Sequence, residues 1–180
     1  MAVAGVLCPT RVRKSKEENH RLALLRRFGS FYGMTWVHLH LALNHVPVLG
    51  SIFLFLLLLV GWILRSREIL QLCLWSFVGL SMLSIAIKYT GDFAFDELKG
   101  AAWMDKALAY QHEQSADQAT TGIFVVGVIG AVGLFRSRAN RPVASWVTMA
   151  LLGASLGTFV MMARTANLGG QLRHPEIRTK

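Results

Sequence analysis

The chain has 180 residues, of which 53% are hydrophobic and only 16% charged, against about 25% charged in an average soluble domain. A formal charge of +9 would suit nucleic acid binding, but no nucleic-acid motif and no interleaving of basic with aromatic residues occurs, which excludes that class. The two cysteines, Cys8 and Cys73, form neither C-x-x-C nor C-x-x-C-H, which excludes a thiol redox pair and covalent c-type haem attachment.

Residues 1–33 carry seven Lys or Arg and two acids. Two readings of this basic extension stand open. Either Met34 is the natural start, or the stretch HRLALLRRFGSF is an amphipathic segment on a membrane surface. The extension has no apolar core long enough for a signal peptide.

Residues 34–180 are expected to form one four-helix transmembrane domain. Its apolar runs fall at about 46–64, 69–87, 119–135 and 143–163. Each is close to the roughly 20 residues that cross a hydrocarbon core as an α-helix. The alternation of a membrane barrel strand is absent. The fold class is therefore all-α, an integral membrane four-helix bundle in contact with the lipid bilayer.

Short basic turns join spans one and two (Arg65-Ser66-Arg67-Glu68) and spans three and four (Arg136 to Pro142). Short loops rich in Arg face the cytoplasm. The long connection from Lys88 to Gln118 has six acids against three lysines and is expected outside, together with both termini. Helical spacing from Phe93 to Gln118 predicts an outer amphipathic helix with Asp92 near its N-cap. Trp36, Trp103 and Tyr110 are expected at the outer headgroup level. Gly153 and Gly157 form a G-x-x-x-G, read as a packing seam within the bundle in preference to the alternative of a dimer contact.

This topology gathers five of the six histidines, His38, His40, His45, His112 and His174, at the outer face. In one straight helix His38 and His45 share a face about 10 Å apart, and His40 points nearly the opposite way. Asn44 is placed to orient a ligand, and Pro47 to start or kink the helix. Neutral imidazole is the commonest metal ligand and a standard haem anchor. A proton- or ion-handling cluster with Asp92, Glu113 and Glu176 and a purely structural role are the competing readings. No serine or cysteine sits in a nucleophile motif, so an enzyme is not indicated.

The segment His38-Leu-His-Leu-Ala-Leu-Asn-His45-Val-Pro-Val-Leu-Gly50 and the closing Thr165-Ala-Asn-Leu-Gly-Gly-Gln-Leu-Arg-His174-Pro-Glu-Ile-Arg178 resemble a group of small, uncharacterised bacterial four-helix membrane proteins. Tyr89-Thr-Gly-Asp92 and His112-Glu113 are also similar to that group. The resemblance covers roughly residues 34–178. It implies a four-helix bundle in the bacterial inner (cytoplasmic) membrane with its distinctive residues on one side, and supports Met34 as the start. More loosely the chain resembles four-helix b-type cytochromes, although its histidines lie at helix ends, which leaves room for one outer haem at most.

The expected function is a binding or electron-transfer subunit holding haem b or a transition metal, with His45 and His112 as the first choices of ligand and His38 and His174 next. Asn44, Asp92, Glu113 and Arg173 would support them. Gly169-Gly170 is expected to end span four in left-handed geometry and fold the tail over the site. The alternatives are a non-catalytic accessory or scaffold subunit of a larger membrane complex and, third, a proton-coupled transporter.

Overall fold

The computed structural model describes residues 35–138 and 141–178; the basic extension and its two readings lie outside the described residues. The helices are α1 (Trp36–Leu43), α2 (His45–Ile63), α3 (Arg67–Leu98), α4 (Lys106–Arg136) and α5 (Ser145–Arg173), followed by a 3-10 turn, Pro175–Ile177. No strand occurs among the described residues. With α1 and α2 taken as one run from Trp36 to Ile63, four helices are long and apolar enough to cross a membrane.

Local chemistry sets the boundaries. Pro47 lies in the first turn of α2, where a missing backbone N–H costs least. It separates α2 from α1 at Asn44. The end of α2 is a Schellman motif: Ser66 N–H donates to Gly61 O (3.0 Å) and Arg65 N–H to Trp62 O (3.2 Å). Its left-handed position, where glycine is usual, is held by Arg65 at φ 53°, at a cost of about 1 kcal/mol. Ser66 then caps α3 by accepting from Ile69 N–H. Asp105 caps α4, accepting from Ala107 and Leu108 N–H at 3.0 and 3.1 Å.

Two expectations are corrected here. The outer helix over Phe93–Gln118 is divided: Lys106–Gln118 is helical and runs on into the third span as α4, whereas Phe93–Leu98 belongs to α3, with Lys99–Asp105 between them. The spans simply run on beyond their apolar stretches, so Asp92 lies inside α3 and the capping carboxylate is Asp105. Nor do Gly169 and Gly170 end α5, which continues through both to Arg173.

In cross-section, α2 and α4 each pack on both α3 and α5, closing a ring, while α1 rests on α3. Neighbours run antiparallel. Gly61 meets Ile69 and Leu70, and Gly50 meets Leu80; Gly133 meets Leu74, and Gly127 meets Ser81. Down the middle lie Leu54, Leu58, Leu74, Phe77, Ile123, Val126, Val147 and Leu151.

Glycine sets how closely α4 can approach its neighbours. A Cβ on Gly130 would lie 3.1 Å from Leu74 O, and one on Gly133 would lie 2.8 Å from Val147 Cγ1. Gly127, Gly130 and Gly133 thus form the tight seam against α3 and α5. By contrast Gly153 and Gly157 meet nothing within 4 Å. The G-x-x-x-G faces outward and is not the internal seam.

Candidate functional site

One end of the bundle holds the start of α1, the α3–α4 connection and the C-terminal segment. His40 lies on α1 against α3, and its Cε1 would be 2.9 Å from a Cβ on Gly91. Its Nδ1 is 3.1 Å from Thr90 Oγ1. The Thr90 hydroxyl proton is already given to Ile87 O at 2.6 Å, so His40 Nδ1–H donates and Nε2 keeps its lone pair.

His112 repeats this arrangement on the other side. Its Nδ1–H donates to Thr165 O of α5 at 3.0 Å, and its Cε1 would be 3.0 Å from a Cβ on Gly169. A carbonyl can only accept, so Nε2 is again the free nitrogen. Ser115 Oγ donates to Thr165 Oγ1 (2.8 Å), which donates in turn to Met161 O (3.0 Å), fixing the platform beneath His112. Among the described residues neither Nε2 has a hydrogen-bond partner.

The two rings lie at the same end of the bundle, His40 against α3 and His112 against α5. Lys88 reaches Asp117 at 3.0 Å and Ser81 meets Gly127, so along the bundle axis Gly91 is level with about residue 115 of α4, offset from His112 by about 4.5 Å of helical rise. Both rings are half-buried. Nearby, Asn44 Oδ1 is buried without a hydrogen-bond partner.

The other anticipated residues are arranged differently. His45 is exposed, and its Nδ1–H donates to Leu41 O (3.1 Å) at the α1–α2 break. His38 is exposed. His174 is exposed and bonded to Glu176 at 2.9 Å; that bond and Glu176's own backbone N–H hold its carboxyl below the usual carboxylate range, the backbone contribution being the larger. Asp92 pairs with Lys88 (3.4 Å). Glu113 lines an open hollow of about 450 Å³ with Phe95, Lys99, Met104, Lys106 and Tyr110. Arg173 stacks over Trp103 at 5.7 Å. Among the described residues no three of His, Cys, Asp and Glu form a metal-holding group.

His40 is therefore the residue that spacing from His38 and His45 failed to single out. A different periodicity finds it. The buried stripe of α2 is Pro47, Ser51, Leu54 and Leu58; carried back by three and four residues it reaches Asn44 and His40. In α4 the stripe Ala109, Ser115, Ala119, Ile123 contains position 112 by the same rule.

The tail does fold back over this end. Arg178 donates through Nε to Gln171 O (2.9 Å) and through Nη1 to Asp105 Oδ2 (3.3 Å). The carboxylate that caps α4 thus also anchors the C-terminal segment. Comparison with protein-family models, with curated proteins and with solved structures gives no match.

Proposed function

We propose that this chain crosses a bilayer four times, with the histidine end outside and the arginine turns in the cytoplasm, and holds one haem b between His40 and His112 as an electron-transfer subunit. The carrying observation is the pair of imidazoles on different helices, each committing Nδ1–H to a fixed oxygen and keeping Nε2 unbonded. Ligating histidines are typically oriented in this way.

The donor count favours haem over a bare ion. Two nitrogens leave a four-coordinate metal half empty, whereas haem brings four donors and needs only two axial ones. Haem supplies reversible one-electron chemistry. His40 and His112 would be the residues that hold it. Gly91 and Gly169 leave each imidazole room to lie against its helix, and Asn44 Oδ1 is a spare acceptor beside the pair.

Bilayer crossing is supported by an inverted surface. Leu49, Phe53, Trp75 and Phe135 are 62%, 63%, 66% and 67% exposed, while Ser51, Ser84, Thr148 and Ser155 are buried. Exposed large apolar side chains occur on all four long helices, among them Leu56, Leu72, Phe124 and Val160, whereas soluble monomers rarely expose large apolar patches. The basic turns supply the orientation. The resemblance of the two end motifs to small bacterial membrane proteins supports the inner membrane as its location.

Purification in mild detergent with haemin reconstitution should give a six-coordinate, low-spin visible spectrum. His40→Ala and His112→Ala should each lose it, and His45→Ala should keep it. A chain that takes up no haemin, or two variants with unchanged spectra, would overturn the assignment.

A further inference from the structure

The opposite end of the bundle carries Arg65 and Arg67 in the α2–α3 connection and Arg136, Arg138 and Arg141 in the α4–α5 connection, with Glu68 as the one nearby acid. Antiparallel packing brings both connections to the same end. Among the described residues none of Arg65, Arg136, Arg138 and Arg141 has a carboxylate partner. Two of them lie over aromatic rings instead: Arg136 over Trp146 at 5.9 Å and Arg138 over Phe135 at 4.8 Å. Trp62, Ile63 and Leu64 are exposed beside Arg65.

Arg65 adds an independent observation. It occupies the one positive-φ non-glycine position among the described residues, where glycine would relieve the backbone. A guanidinium is kept there against the local conformational preference, and such outliers point towards function.

We infer that this end is a binding surface for the phosphate headgroup of an anionic phospholipid, an inference that rests on the bilayer-crossing reading but not on haem. Guanidinium matches phosphate geometry bidentately. The apolar and aromatic collar beside the arginines suits acyl chains, so the ligand is a lipid rather than a soluble anion. Each basic residue near an anionic leaflet contributes about a fivefold preference.

The test uses the full chain in phosphatidylcholine vesicles containing a minority of phosphatidylglycerol, with spin-labelled versions of each lipid measuring relative association by electron spin resonance. The wild type should prefer phosphatidylglycerol several-fold. Arg138→Gln should lower that preference about fivefold. Arg65→Gly should lower it similarly while raising thermal stability, a combination that a merely structural arginine would not give. Lys99→Gln, at the other end, should leave it unchanged.

Equal association of both lipids, insensitivity to the arginine variants, or full displacement by millimolar inorganic phosphate would overturn the inference. Resistance to alkaline extraction from phosphatidylcholine vesicles tests bilayer crossing separately, so loss of lipid preference in a well-inserted chain counts against this surface alone.

Discussion

The two ends of the bundle handle charge in opposite ways. At the histidine end Lys88, Lys99 and Arg178 find Asp117, Asp96 and Asp105, so several cations there are paired within the fold. At the arginine end Arg65, Arg136, Arg138 and Arg141 have no carboxylate partner among the described residues. An end with unsatisfied cations calls for an external anion.

The largest contrast should come from glycine. Gly169→Val puts bulk against the His112 ring, which lies 3.0 Å from a Cβ there. It should abolish haem retention as fully as His112→Ala does while the bundle still folds. Gly133→Val, nearer the arginine end, instead drives into Val147 and Leu74. It should cost about 1–3 kcal/mol by overpacking, read as a lower midpoint of thermal unfolding in detergent. Equal effects of both variants on haem and on stability would erase the distinction between the ends.

A smaller effect is expected from Thr90→Val, which removes the oxygen that receives His40 Nδ1–H. Haem affinity should fall about 10- to 100-fold, measured by haemin titration, with the low-spin spectrum retained at saturation. An unchanged titration would mean that Thr90 does not orient the ligand.

The smallest expected effect is a pH response confined to the histidine end. The Glu176 carboxyl is held low by its own backbone N–H and by His174. Its pairing therefore contributes above the unfolded value of about 4.3 and is lost as pH falls through the depressed native value. Because the pair is exposed, the change should be local. Amide resonances of residues 174–178 should shift in acid while those of the arginine turns stay still; the reverse pattern would contradict this arrangement.

Much of the architecture was legible along the chain. Apolar runs interrupted at Arg65–Glu68 and Arg136–Pro142 mark four helices, and chain alternation places His112 and the tail at the end opposite those turns. Span ends were less legible. Hydropathy stops at Ile87 and starts at Ala119, yet α3 continues to Leu98 and α4 begins at Lys106. Polar residues extend a helix as readily as apolar ones when no breaker intervenes. The fate of Gly169 was hidden for a related reason: glycine ends helices when the chain must turn, but also sits inside them when a neighbour's ring needs the space.

The sequence alone determined the number of helices, their order and which residue types collect at each end, because hydropathy and charge add up along the chain. Only tertiary structure decided that His40, rather than His45, turns inward against α3, and that Gly127, Gly130 and Gly133, rather than Gly153 and Gly157, form the tight seam. Which face of a helix turns inward depends on the break at Asn44 and on the partner across the interface, and a linear chain records neither.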